Sequence, residues 1–467
     1  MYKVVSLFSG AGGFDWGFHL TSKFTTCLAN ELKAVPAETF AKNLSMKLVH
    51  TPASPHEEDQ PLMIQGDVAE VSFACLNGFE PHLLVGGPPC QDFSVVKAGQ
   101  RKGIQVKRGR LYAQFVRAVT ALQPSMFVFE NVPGLMSTNK GQAYDTILED
   151  FTNLRIRWRE IQEASQVDNG WKRRSKHGYE IIFNGVVDAS KLGVPQTRRR
   201  LIIIGLRDDL AHELGLFRMV QIREHLKHEL TGAGSLMSRY PVTCMEVLEG
   251  RTIIELQKKY KEVMDAYDKL WNNPLLPKAA DWKRKVWDSL SFDALKDYLL
   301  VNHIQPKNTS EIEKAMSEHG EVLKKLGYFG QRVDKLKPKD GTNQVQESDS
   351  VMERMRRIPP GQNHEFVRGT PWHVEGRGIS LIYRRPYPLK PAPTVVAYGG
   401  GGTWGYHYER DRGKLANRER ARIQTFTDDF LFAGSPGEIR GQIGEAVPPL
   451  LAEKIANALL KVLSVVK

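Results

Sequence analysis

Short runs of β-branched and aromatic residues alternate with longer helical patterns from the first residues of the chain onward. The runs KVVSLF, FTTCLAN, HLLVGG, MFVFENV, YEIIFNGVV and LIIIGL, the last ending near Leu206, have the length and composition of strands buried on both faces. Strands alternating with helical stretches predict βαβ units, and hence an α/β fold with a doubly wound, mostly parallel sheet. Several runs end in glycine-rich or polar loops, the edge at which open α/β sheets place their ligands.

After about Asp209 the pattern changes to long, lysine-rich helical stretches, RTIIELQKKYKEVMDAYDKLW and TSEIEKAMSEHGEVLKKLGYF, followed by a polar segment from Pro338 to Ser350. This predicts a second domain. A glycine- and proline-rich passage, RPYPLKPAPTVVAYGGGGTWGYH, follows it. The chain closes on a helix whose apolar positions Leu451, Ile455, Leu459 and Val462 recur at helical period. We divide the chain into a first domain over 1–207, a second domain over 208–400, a hinge segment over 401–437 and a returning C-terminal helix over 438–467.

Composition narrows the class. The 467 residues, 41% hydrophobic and 25% charged, belong to an ordinary globular protein large enough for two or three domains. No run approaches a membrane span, and MYKVVSLFSG enters a strand directly without a basic leader, so a cytoplasmic protein with no membrane partner is expected. The four cysteines, Cys27, Cys75, Cys90 and Cys244, have no CxxC or His/Cys ligand spacing, which points to neither a disulfide framework nor a metal site. Lys and Arg total 65 against 53 Asp and Glu, and the net charge of +12 favours a polyanionic partner.

Three places carry candidate chemistry. FSGAGGFDWGF follows the first strand, and Gly10, Gly12 and Gly13 let the backbone turn tightly before a helix begins at about Phe14. Glu31 closes the second strand about 20 residues later, where a carboxylate can bind ribose hydroxyls, and Asp67 lies in a similar turn. No P-loop lysine follows the glycines, so adenosine linked to something other than phosphate suits the pattern, although the turn alone fits NAD as well. In LLVGGPPCQDFS two prolines stiffen the approach to Cys90. Glu130 ends the next strand and the arginines of QTRRR, Gln196 to Arg200, an adjacent one. A thiol, a carboxyl group and a guanidinium at one edge supply a nucleophile, a proton donor or acceptor and an orienting cation.

FSGAGG, GGPPCQDFS, ENV, QTRRR, RPYPLKPAPTVVA and GEAVPP stand in the order and approximate spacing of the cytosine-5 DNA methyltransferase family, which the chain resembles over about 1–206 and 380–467. The resemblance is to the bacterial restriction-modification type. It implies the S-adenosylmethionine-dependent methyltransferase fold with a smaller, variable target-recognition domain, and S-adenosyl-L-methionine rather than a metal as cofactor. It implies double-stranded DNA as substrate, a monomer, and a cognate restriction endonuclease as a functional rather than physical partner. Cys90, Glu130, Arg198 and Arg200 match the catalytic group. Phe8, Gly10, Ala11, Gly12, Gly13 and Phe14 match cofactor-binding positions, as do Glu31, Asp67, Val68, Pro88 and Val447. In GEAVPP, Glu445 stands where the family usually has asparagine.

Within that resemblance Cys90 adds to C6 of a flipped cytosine and C5 takes the methyl group. The basic segment VVKAGQRKGIQVKRGR reads as a loop closing over DNA, and the insert RIRWREIQEASQVDNGWKRRSK as an added DNA contact or a surface excursion. The clusters Lys283 to Lys285 and Arg354 to Arg357 are candidates for phosphates, Arg384 and Arg385 for structure. The same thiol chemistry on RNA, and a DNA-binding protein without catalysis, are the competing readings; the large middle region argues against the first, the intact thiol, carboxylate and glycine turn against the second.

Overall fold

The computed structural model describes residues 1–56, 61–73, 79–89, 110–154, 177–343, 345, 347–375, 382–397 and 405–466. Cys90, the basic segment after it up to residue 109, and the insert at 155–176 lie outside the described residues. The chain forms two compact units. The first comprises Met1–Asp188, Arg199–Ala233 and Leu451–Lys467, the second Ala189–Arg198 and Gly234–Leu450.

The first unit is built on one eight-stranded sheet. Its strands are β1 (Tyr2–Leu7), β2 (Phe24–Glu31), β3 (Lys47–His50), β4 (Leu62–Gln65), β5 (Leu83–Gly86), β6 (Met126–Asn131), β7 (Tyr179–Asp188) and β9 (Arg199–Arg207), with β8 (Gln196–Thr197) outside it. The order is β3-β4-β2-β1-β5-β6-β9-β7. All neighbours are parallel except β9, which runs antiparallel to both β6 and β7. The order reverses between β1 and β5, the switch point where such sheets bind ligands. The helices α1 (Gly13–Leu20), α2 (Ala34–Asn43), α3 (Arg110–Leu122), α4 (Gln142–Asn153) and α5 (Asp208–Thr231) belong to the same unit.

The central strands are apolar throughout because both faces are covered: Val4, Val5, Leu83, Leu84, Val128 and Phe129 are wholly buried. One core cluster joins Phe115 of α3 and Phe151 of α4 to Phe127 and Phe129 of β6, with ring centroids of Phe127 and Phe151 4.3 Å apart. The second cluster packs Phe40 of α2 against Ala29 and Met63. The sequence runs identified as strands form six of the eight; β3 and β4 are additional.

The second unit is mostly helical, and the stretch read as one pattern from Arg251 to Trp271 breaks into a short 3-10 turn, the helix Gln257–Asp265 and a second turn. Thr309–Lys325 forms a single helix capped by the Asn308 side chain, which accepts from the Glu311 amide at 2.9 Å. The two-residue strand β8 pairs with β10 (Ala392–Pro393), tying QTRRR to the TVVA segment. The C-terminal helix Pro449–Val465 returns to the first unit from Leu451 on, and His225 of α5 meets the Ala458 carbonyl at 3.2 Å.

Candidate active site

Within the first unit, the sheet's arrangement gathers most of the sequence-identified residues at the carboxyl ends of its parallel strands. Phe8 follows β1, Glu31 ends β2, Asp67 follows β4, Pro88 follows β5 and Glu130 is the penultimate residue of β6. Because β9 is antiparallel, its first residues reach the same edge, and this brings Arg200 beside Glu130.

The glycine loop has an unusual backbone. Phe8 and Gly10 both have φ 55, and Gly12 has φ 90. A side chain at Gly12 would collide with the Phe40 ring, 2.7 Å from its Cβ, whereas a Cβ at Gly10 would meet nothing within 4 Å. The loop therefore packs tightly at its base and leaves an open cradle at Gly10. Glu31 fixes this cradle: its carboxylate accepts from the Gly10 amide at 2.9 Å and from the Lys33 amide at 2.9 Å. Asp67 accepts from the Ala69 amide at 2.9 Å and caps the single turn Val68–Glu70. A carboxylate held rigidly beside an uncrowded glycine suits a ligand that carries ribose hydroxyls.

At the β5 end, Gly87 lies against β6, where a Cβ would stand 2.6 Å from Glu130 Oε2. The Asn131 amide donates to the Pro88 carbonyl at 3.0 Å. Arg200 Nε lies 2.7 Å from Glu130 Oε1, with both side chains largely buried. The approach to Cys90, up to Pro89, is thus held against the Glu130–Arg200 pair. Arg198 and Val447 belong to the second unit. The Arg198 guanidinium is buried there, donating to the carbonyls of Val395, Gly444 and Ala446.

Two supporting residues went unrecognised in the sequence. Asn131 follows Glu130 directly and was passed over within ENV. Arg117 of α3 is wholly buried and donates to Val71 O at 2.9 Å and Val68 O at 2.7 Å, so it holds the Asp67–Val68 turn from beneath. Its signal was an arginine on the apolar face of an amphipathic helix. Arg385, read as structural, is buried and donates to Met355 O at 2.7 Å and to the His407 and Glu409 carbonyls. Lys283 and Arg284 pair with Asp288 and Asp281, at 2.5 and 2.9 Å. Among the described residues one group has metal-ligand spacing, His177, Asp208 and Asp209, but Arg207 engages Asp209 and the Gly178 amide Asp208.

The family model described as C-5 cytosine-specific DNA methylase matches residues 2–461. The chain belongs to this family. It is a DNA (cytosine-5-)-methyltransferase, whose methyl donor is S-adenosylmethionine and whose substrate is DNA. It is 53% identical, over 100% of its length and 99% of the relative's, to the DNA (cytosine-5-)-methyltransferase M.ApeKI of Aeropyrum pernix. The type II methyltransferase M.NgoFVII of Neisseria gonorrhoeae is 29% identical, over 99% of this chain and 87% of its own. Among solved structures, a DNA modification methyltransferase encoded within an E. coli prophage superposes with a TM-score of 0.55 at 21% identity, covering 99% of this chain and 100% of the other. That likeness extends the α/β methyltransferase fold over the whole chain. Among the described residues no helix is long and apolar enough to cross a membrane.

Proposed function

We propose that this methyltransferase acts on a cytosine flipped out of double-stranded DNA within a specific sequence, with Cys90 as covalent nucleophile. The observation that carries the reading is the Glu130–Arg200 pair at 2.7 Å against the Gly87–Pro89 approach to the thiol. C5 of cytosine is a weak nucleophile until a thiolate adds to C6, so Cys90 supplies the electron pair that forms the C6–S bond. Glu130 binds the N3 and amino edge of the base and stabilises a proton at N3 as the ring gains electron density. Arg200 orients that carboxylate and lends positive charge to the site, which also favours the thiolate. Arg198 completes the catalytic group through the backbone it holds in its own unit.

When bound, S-adenosylmethionine supplies an electrophilic methyl group. Phe8, the Gly10–Phe14 turn, Glu31, Asp67, Val68, Pro88 and Val447 hold it, Glu31 at the ribose. Loss of the C5 proton to a base then lets the C6–S bond break, restoring the ring double bond and the Cys90 thiolate. In this reading no metal takes part, the enzyme acts as a monomer in the cytoplasm, and a restriction endonuclease cutting the same sequence is its functional counterpart, as the type II name of the Neisseria relative supports.

Incubation with S-adenosylmethionine and mixed-sequence duplex DNA, followed by bisulfite sequencing, tests this. C5 methylation confined to one short sequence context is expected. Methyl transfer to transfer RNA but to no duplex would overturn the substrate assignment.

A further inference from the structure

In the second unit, a buried polar network joins three sequence motifs that lie far apart in the chain. Arg198 of QTRRR is 1% exposed, and Gln196 and Gln424 are fully buried. Arg198 donates from Nη1 to Val395 O at 3.0 Å and from Nη2 to Gly444 O at 3.0 Å and Ala446 O at 2.8 Å. Gln424 donates to the same Ala446 carbonyl at 2.7 Å. Gln196 completes the link by accepting from the Val395 amide at 3.0 Å and donating to Ile423 O at 3.0 Å and to the Gln424 side chain.

The geometry points to Arg198 as a positioning residue, a clamp that fixes the segment carrying Val447 against the TVVA segment. Three observations converge on it. The helix Pro436–Glu445 ends at Gly444 and Ala446, where its last carbonyls lack intrahelical donors. A buried cation at a helix carboxyl terminus answers both that need and the helix dipole. At the same point the two segments touch backbone to backbone, since a Cβ on Gly444 would stand 2.2 Å from Ala397 N. Three bonds from Nη1 and Nη2 hold main-chain carbonyls of both segments, and a slip in register would strand a buried cation, so the two segments are locked together. Both terminal nitrogens of Arg198 thus serve main-chain carbonyls of their own unit, and the residue after Ala446 is Val447.

The consequence for the cofactor rests on the assignment of Val447 to S-adenosylmethionine; the clamp itself does not. The test uses the full chain with Arg198→Lys, Gly444→Ala and Val447→Ala. Lysine keeps the charge and loses the fork. Alanine at 444 pushes the segments apart while the Arg198 side chain itself is unchanged.

Hydrogen exchange of the peptide covering 442–450 is expected to accelerate about tenfold in Arg198→Lys, which loses charge-assisted bonds, and in Gly444→Ala, which wedges the two backbones apart. Exchange in the β1–β2 region should not change. S-adenosylhomocysteine, titrated at equilibrium, should bind about tenfold more weakly to both, and the KM for S-adenosylmethionine should rise in parallel. Unchanged exchange at 442–450 would overturn the clamp. So would unchanged S-adenosylhomocysteine affinity combined with a collapse of kcat in Arg198→Lys alone, which would place Arg198 on the base. If Val447→Ala binds S-adenosylhomocysteine normally while Arg198→Lys loosens 442–450, the clamp stands and the Val447 assignment falls.

Discussion

Gly87 decides how close the Gly87–Pro89 segment comes to Glu130. Its missing Cβ would lie 2.6 Å from Glu130 Oε2, so any side chain there displaces the carboxylate from Arg200. Gly87→Ala is expected to lower kcat about 10²-fold, the scale of an ångström's misplacement of a catalytic group, with little change in melting temperature. Steady-state kinetics beside a thermal melt would show whether the loss is catalytic. Cys90→Ser should abolish turnover while S-adenosylmethionine still binds, because a hydroxyl at neutral pH offers almost no anion to attack C6; normal activity in that variant would sink the covalent mechanism. Thiol chemistry supports the choice of cysteine. Burial pushes the Cys244 thiol up to about 12, so it does not compete as a nucleophile.

At the scale of elements, the second unit contains a buried ion pair with a pH signature. His319, in the helix Thr309–Lys325, is fully buried; Nδ1 faces Glu246 Oε1 at 2.8 Å and Nε2 faces the Tyr240 carbonyl at 2.9 Å. A carboxylate and a carbonyl both accept, so an imidazolium satisfies both contacts. Burial opposes that charge, but the Glu246 carboxylate and the Tyr240 carbonyl outweigh it and hold the pKa above its ordinary value. The pair's stabilisation is therefore complete below about pH 6.5 and is lost as pH rises through the folded-state value. His319→Gln should cost about 3 kcal/mol at pH 6 and progressively less at alkaline pH; melting curves of both proteins from pH 6 to 10 would show the gap narrowing, and a constant gap would refute the imidazolium. Nothing in the helical pattern announced this pair, because His319 and Glu246 are 73 residues apart. Legibility followed the same rule throughout. β1, β2, β5, β6 and β9 were readable because strands buried on both faces are continuously apolar, and the edge strand β7 by its β-branched and aromatic content. β3, KLVH, is an edge strand with three exposed residues and so lacks an apolar run; β4, LMIQ, has a run as short as that of β5 and was passed over. Glu31, Glu130 and the glycine turn were legible from strand ends and motif order; Arg117 and the Gln196–Gln424 link were not, since their partners are backbone carbonyls distant in sequence.

For the molecule as a whole, the +12 charge and the chain's path make separate demands. A polycation that neutralises about six DNA phosphates loses about 10³-fold in affinity between 50 and 200 mM salt, while binding of S-adenosylmethionine, which carries little net charge, should scarcely respond. Filter binding at a series of salt concentrations would separate the two, and a flat response for DNA would contradict phosphate contact. The path is less forgiving than the motif order implies, because the chain passes between the units four times, at 188, 198, 233 and 450. The first unit's sheet is finished by β9, yet the unit also includes α5 and the helix segment from Leu451 onward. Leu451, Ile455, Leu459 and Val462 of that segment are fully buried. Burying such side chains contributes about 1.5–3 kcal/mol each, so four of them match the whole net stability of a typical domain, about 5–15 kcal/mol. A fragment ending at residue 207 or 233 is therefore expected to be unfolded or aggregated despite containing every strand of the sheet and both Cys90 and Glu130. Joining residues 451–467 to the 1–233 fragment through a flexible linker should restore a cooperative melt. A well-folded 1–207 fragment would mean that the sheet and its first four helices suffice, and that the returning helix is dispensable to the core.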